Sequence, residues 1–440
     1  MGEAVTESWL AELAELIRIP SVSSDPARAG DVRAAGQWIC DFLHRAGASS
    51  ELLDWNGQPL VVAHLAASRD AAHAPMVLCY GHFDVQDVEP LELWESDPFE
   101  LEVRGEWASA RGVADDKGNF YLLMKAAAEL AAAGELPVNL RFLADGEEET
   151  LGTSVVEHLA ADAEPADACV IFDTAMNARG VPAFTIGTRG MAIGQVRLRA
   201  GTHDLHSGGY GGAAMNGVHA LHAMLAAVLP RDGVLPEPLR AGIVPPAAGE
   251  LSQLPALATG ADTLAAEQPK SIVPATASAR ISMRLAVGQD PEAIRAAAER
   301  LMREAAPAGA TVDVEWRAAT APSLFPIDAP AVRLGLDAFE RALGTRPLLQ
   351  RAGGTLPIMP ALAARGIPTI LTGFSLPESQ AHGPERADAH ERLPGGDRRG
   401  EGALPGVRRP FTSAPGGELR CETRRRSRSR PAWRRCSRAV

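Results

Sequence analysis

Long apolar runs are missing from the 440-residue chain, and none reaches the roughly 18 residues that a helix needs to cross a bilayer. A membrane partner is therefore not expected. Cysteine is scarce. Cys40, Cys79, Cys169, Cys421 and Cys436 form no CxxC pair and no dense framework, which excludes a disulfide-stapled fold and points to a reducing compartment, the cytoplasm. The first residues carry Glu3, Glu7 and Glu12 in place of the basic and apolar regions of a secretory leader. Met1-Gly2 with Thr6 formally fits a myristoylation pattern, but so short a match arises readily by chance. Excess positive charge is also missing. A formal net charge of −12 argues against nucleic acid as the main partner. Lysine is nearly absent beside abundant arginine, which reads as GC-rich coding. Aromatics are few, yet 46% of residues are hydrophobic, so the core must rest on Ala, Leu and Val, and disorder or a fibre is excluded.

At this length two or more domains are expected. Residues 8–18 place Trp9, Leu10, Leu13, Leu16 and Ile17 at helical spacing. Further helices are predicted over 31–46 and 118–133, the latter stopped by Gly134 and Pro137. The run MVLCY (76–80) is continuously apolar, the mark of a strand buried on both faces, and VNLRFLA (138–144) and ACVIFD (168–173) are strand-like too. Strands alternating with helices predict an α/β fold, a mostly parallel sheet sandwiched by helices. The texture changes near residue 189. Segments 191–200 and 277–287 alternate as strands with one wet face, with helices at about 214–228 and 291–306. This predicts an inserted open-faced α/β unit over 189–318, between parts 1–188 and 319–384 of the first unit. The first pattern resumes with a helix near 331–342 and a strand at 368–373. Residues 385–440 hold about fifteen arginines, no lysine and no periodicity, and read as disordered or as decoded in a shifted frame.

Acidic and imidazole groups recur where the strands end. His82-Phe83-Asp84 follows MVLCYG, and Asp115-Asp116-Lys117-Gly118 precedes a helix. Asp145-Gly146-Glu147-Glu148-Glu149 follows VNLRFLA, and Asp173 ends ACVIF. Ligands of open α/β sheets gather beyond the carboxyl ends of the strands, so the four clusters should converge. Imidazole and carboxylate are the usual ligands of zinc-like ions. Singly, an HxD or an acidic pair is polar surface. Three consecutive glutamates after a buried strand are less bland, because like charges repel unless something cationic compensates. Other histidines are decoys. His203 and His206, and likewise His219 and His222, stand three apart, as helical metal ligands do, but neither pair comes with carboxylates. GGYGG (208–212) lacks the pattern of a phosphate loop.

Taken in order, GHFDV (81–85), ARGVADDKG (110–118), DGEEE (145–149), GTRG (187–190), HSGGYGG (206–212) and AHGP (381–384) resemble the carnosinase-like family of dinuclear zinc metallopeptidases. That family includes cytosolic dipeptidases, carboxypeptidase G-type enzymes, and deacylases of acetylornithine and succinyl-diaminopimelate. The resemblance covers about residues 8–384 and is closest to the dipeptidase branch. It implies a catalytic domain over 1–188 and 319–384, a lid and dimerisation domain over 189–318, and a homodimer joined through the lids. It implies two divalent ions per subunit, zinc or else manganese or cobalt. His82 and Asp173 would bind one, Glu149 and His382 the other, and Asp115 would bridge both. Glu148 would be the general base and then the general acid. Asp84, two residues beyond His82 on the same face of an extended segment, would orient its imidazole.

The resemblance also implies that His206 steadies the developing oxyanion in the partner subunit's site, and that Arg284 grips the carboxylate of a small peptide substrate with help from Gly353, Gly354 and Thr355. Three other readings compete: an N-acyl-amino-acid deacylase with the same metals, a non-catalytic peptide-binding homologue, and an arginine-rich nucleic-acid binder resting on the tail. The second should have lost ligands, yet all five are present. After His382, GPERADAHERLPGG departs from the asparagine-glutamate pair and final helix that the family resemblance leads one to expect.

Overall fold

The computed structural model describes residues 2–105, 107–162, 164–246, 272–376 and 379; His382 and the arginine-rich segment 385–440 lie outside them. The strands are β1 (Ser49–Trp55), β2 (Gln58–Leu65), β3 (Met76–His82), β4 (Glu102–Arg104), β5 (Trp107–Ser109), β6 (Asn139–Asp145), β7 (Ala168–Phe172), β8 (Ala183–Thr188), β9 (Gly190–Arg199), β10 (Leu205–His206), β11 (Ile272–Val273), β12 (Thr276–Leu285), β13 (Thr311–Thr320), β14 (Ser323–Leu324), β15 (Leu348–Arg351) and β16 (Thr369–Thr372).

Among the described residues nine strands form one sheet in the order β1-β2-β6-β3-β7-β16-β8-β14, with β15 beside β8. The central strands β6, β3, β7 and β16 run parallel. Helical crossovers such as Lys117–Ala132 and Ser154–Ala161 connect them, which requires parallel pairing. The flanking pairs β1-β2, β2-β6, β16-β8 and β8-β14 are antiparallel, while β15 pairs β8 in parallel. Asn56 and Gly57, both at positive φ, make the two-residue turn between β1 and β2. The expected parallel sheet is thus the centre of a mixed one.

The continuous apolar run of β3 is explained by what covers it. Cys79 packs into a core with the helices Gly2–Ile17, Ala29–Arg45 and Lys117–Ala132. Leu78 and Tyr80, pointing the other way, join a second core with Ser154–Ala161 and Ile358–Ala364. Each fully buried side chain of this size contributes about 1.5–3 kcal/mol. A separate antiparallel sheet, β12-β9-β13, carries the helices Gly217–Leu225 and Pro291–Ala305 on one face through Val196, Leu198, Met224, Ile294 and Met302. Its other face exposes alternate residues, among them Arg197, Arg280 and Arg284. The helices predicted at 8–18, 31–46, 118–133, 291–306 and 331–342 all form, the first reaching back to Gly2.

Candidate functional site

The site is built around the end of β3. His82 closes that strand with its imidazole fully buried. Its Nδ1 lies 3.0 Å from the Asp84 carbonyl oxygen and 3.3 Å from Asp84 Oδ1. With Nδ1 engaged there, Nε2 turns to the acids, 3.0 Å from Asp115 Oδ1 and 3.9 Å from Asp173 Oδ1. Asp115 and Asp116 precede the helix Lys117–Ala132, and Asp173 follows β7. The Asp84 carboxylate is itself held by its neighbours. It accepts hydrogen bonds from the Ser23 hydroxyl at 2.6 Å and from the amides of Glu148 and Glu149 at 3.2 and 3.1 Å. The three segments carrying His82, Ser23 and the glutamate run are therefore tied through one side chain.

Asp116, fully buried, belongs to the same cluster. One of its oxygens accepts the His82 amide at 3.2 Å, and the other, Oδ1, is buried with no hydrogen-bond partner. A Cβ at position 81 would lie 2.8 Å from Asp116 Oδ2 and 2.3 Å from the Phe120 ring, so only glycine lets these groups approach β3.

Burial dominates the electrostatics. It pushes the carboxyls of Asp116, Glu148 and Asp173 well above their ordinary range, and neighbouring acids push them further while His82 opposes the rise. Burial alone would lower the His82 pKa, but contact with Asp115 and Asp84 outweighs it and raises the value well above 6.5. Burial also pushes Asp145 up to about 7. Acids crowded around one buried imidazole, with an orphaned carboxylate oxygen among them, are a candidate donor set for a divalent cation. Among the described residues, His82, Asp116 and Asp173 offer ligand atoms all within 4.8 Å of one another. Asp116 was missed in the sequence because its neighbour Asp115 absorbed the motif. The signal available was the Asp115-Asp116 doublet itself.

Glu148 and Glu149 form a short 3-10 turn after β6, over Glu148–Thr150. Gln86 Nε2 donates to Glu149 Oε2 at 2.7 Å, a contact the sequence reading did not anticipate. Arg284 and Thr355 meet, guanidinium to hydroxyl, at 3.1 Å, and the Thr355 hydroxyl donates to the Arg189 carbonyl at 2.6 Å. Gly353 lies beside the Arg189 guanidinium, 3.9 Å from where a Cβ would stand, and a Cβ on Gly354 would meet open space. His206 is exposed on β10, paired with Ile272 of β11.

A parallel-centred sheet sandwiched by helices, with imidazole and carboxylates gathered at its strand ends, defines a metallohydrolase. Residues 78–394 match Peptidase family M20/M25/M40, and the chain belongs to that family of metallopeptidases. It is 27% identical over 424 residues to the cysteinylglycine-S-conjugate dipeptidase of Corynebacterium striatum, covering 87% of this chain and 91% of that protein. It is 28% identical to the succinyl-diaminopimelate desuccinylase of Thiobacillus denitrificans, covering 81% and 84%. Curated yeast and mouse dipeptidases are matched over about half of their length. The fold resembles that of human carnosine dipeptidase 1, with a TM-score of 0.71 at 22% identity, covering 88% of this chain and 92% of that one.

Proposed function

We propose that the chain hydrolyses the amide bond of dipeptides or similar small peptides at a pair of divalent metal ions, zinc or else manganese or cobalt. The observation that carries this is the contact of the buried His82 with the partly buried Asp115 and Asp173, with Glu148 in the same cluster. His82 and Asp173 would hold one ion, Glu149 and His382 the other, with Asp115 between them and Asp116 adding a further carboxylate. Bound ions supply Lewis acidity that polarises the scissile carbonyl and lowers the pKa of an adjacent water. Glu148, kept ready to accept a proton by its burial, takes the proton of the attacking water and delivers it to the leaving amine. Asp84 fixes the imidazole of His82 and the backbone of Glu148 and Glu149. Arg284, with Thr355 and the Gly353-Gly354 turn, would hold the substrate carboxylate through its planar fork, and His206 would steady the oxyanion of a partner subunit's substrate.

A catalytic domain over 1–188 and 319–384 and a lid over 189–318 that pairs two copies into a cytoplasmic homodimer complete the reading. It is supported by the change from the nine-stranded sheet to the β12-β9-β13 sheet between Thr188 and Gly190. A deacylase reading is favoured by the desuccinylase match alone. Parallel assays on a dipeptide panel and on N-acyl amino acids separate the two. Faster turnover of dipeptides is expected, and hydrolysis of acylated amino acids only would overturn the dipeptidase reading.

A further inference from the structure

His82, Asp84 and Gln86 are alternate residues of one extended stretch leaving β3, which places them on one face. The stretch is held in that form by the Val85 amide, which donates to the Ser21 carbonyl at 3.0 Å, and by the parallel bridge between Val22 and Val85. The first residue reaches the acids, and the second reaches the backbone of the glutamate turn. The third reaches the side chain of that turn: Gln86 Nε2 stands 2.7 Å from Glu149 Oε2 and 3.4 Å from the Glu149 carbonyl oxygen.

We propose that Gln86 is a positioning residue for Glu149, holding its carboxylate in the orientation in which it meets a metal ion. The inference rests on the reading of Glu149 as a metal ligand. Glu149 is then held at two points, its amide by Asp84 and its carboxylate by Gln86. The donor type matters. An arginine or lysine in this place would form an ion pair and compete with a cation for the carboxylate. A neutral amide orients the group while leaving its charge intact, and a carboxylate has lone pairs enough to accept one N–H and still ligate. Without that donor the glutamate regains rotamer freedom, which must be lost again each time an ion binds. Partners of this kind typically change metal affinity by about 10–100-fold when removed.

The test uses the full chain, stripped with a chelator and titrated with zinc. Zinc content is read by elemental analysis and affinity by competition with a chromophoric chelator. Wild type should bind two zinc ions. Gln86→Met, similar in length but lacking the donor, and Gln86→Ala should keep one site near wild-type strength and bind the other about 10–100-fold more weakly. Gln86→Glu, which sets a like charge against Glu149, should weaken it further. Turnover of the Met variant should recover as free zinc is raised, with KM unchanged, while the melting temperature of the zinc-free protein stays at the wild-type value. Equal zinc affinities in wild type and in the Met and Ala variants would overturn the inference while leaving Glu149 a ligand. A drop in zinc-free stability without a change in zinc affinity would also overturn it, by making the contact a scaffold element. A wild type that binds fewer than two zinc ions would remove the two-ion reading and the inference together.

Discussion

At the scale of single residues, much of the chemistry is visible in the sequence because metal sites reuse a few side-chain types at strand ends. His82, Asp84, Asp115 and Asp173 stand out there, and the structure brings the three acids within hydrogen-bonding or ion-pair distance of His82. Asp116 is visible only as half of the Asp115-Asp116 doublet, and Ser23 and Gln86 do not stand out. The contacts of Ser23 and Gln86 arise from how separate segments meet, and nothing in their local sequence announces it. Glu148 carries the sharpest expectation. Replacing it with glutamine removes the proton acceptor but leaves the volume and the backbone amide that Asp84 holds. Turnover should fall by about 10²–10⁴-fold while metal content stays at the wild-type level. A Glu148→Gln enzyme that keeps more than about a tenth of its rate would put the base elsewhere.

At the scale of elements, strands buried on both faces were legible as apolar runs, and amphipathic helices as periodic ones. The parallel direction of the central strands was legible from their alternation with helices, whereas the antiparallel flanks were not, since an apolar run reads the same in both. The β1–β2 hairpin went unread, although Asn56-Gly57 is a strong turn signal. Two element-level consequences are measurable. A methyl group at Gly81 would collide with Phe120 and Asp116 where β3 meets the helix Lys117–Ala132. Gly81→Ala should therefore cost about 1–3 kcal/mol and weaken metal binding together, as calorimetry and metal titration would report. His158, in the helix Ser154–Ala161, packs edge-on against Trp55 at 4.9 Å with its Nδ1 buried and unpartnered. Burial lowers its pKa below 6.5. The unfolded chain then binds the proton more readily, so the stability that neutral His158 contributes is full above about pH 6.5 and is lost as pH falls through the folded-state value. His158→Phe keeps a ring against Trp55 and should shrink the fall in melting temperature between about pH 7 and 5. Parallel curves for the two proteins would mean that acid acts elsewhere.

At the scale of the molecule, the fold class was legible from the alternation of strands and helices, whereas Arg284 and Thr355 were brought together only by the family resemblance and by nothing in their own spacing. Those two are far apart in the chain and meet only through tertiary structure. The buried acids make the whole fold sensitive to its ions. Charges that repel one another when stripped are compensated when a cation binds, so chelation should lower the melting temperature. Adding back zinc, manganese or cobalt should raise it, by the equivalent of about 4 kcal/mol at a thousandfold excess over the dissociation constant. A melting temperature indifferent to chelator would argue against a resident metal.

Asp84 adds a consequence for how variants of this protein will combine. Its one carboxylate receives Ser23, Glu148 and Glu149, and it faces the ring of His82. Substitutions at Ser23 and His82 cannot be independent of one at Asp84, and a change at Asp84 also releases the Glu148 and Glu149 amides, because the same two oxygens serve all of them. Double-mutant cycles drawn through position 84 should give interaction energies of about 0.5–3 kcal/mol, while cycles pairing it with a distant position such as His158 should close near zero. A library that varies the histidine strand and the glutamate turn separately will then misjudge their combinations, and the two must be searched jointly.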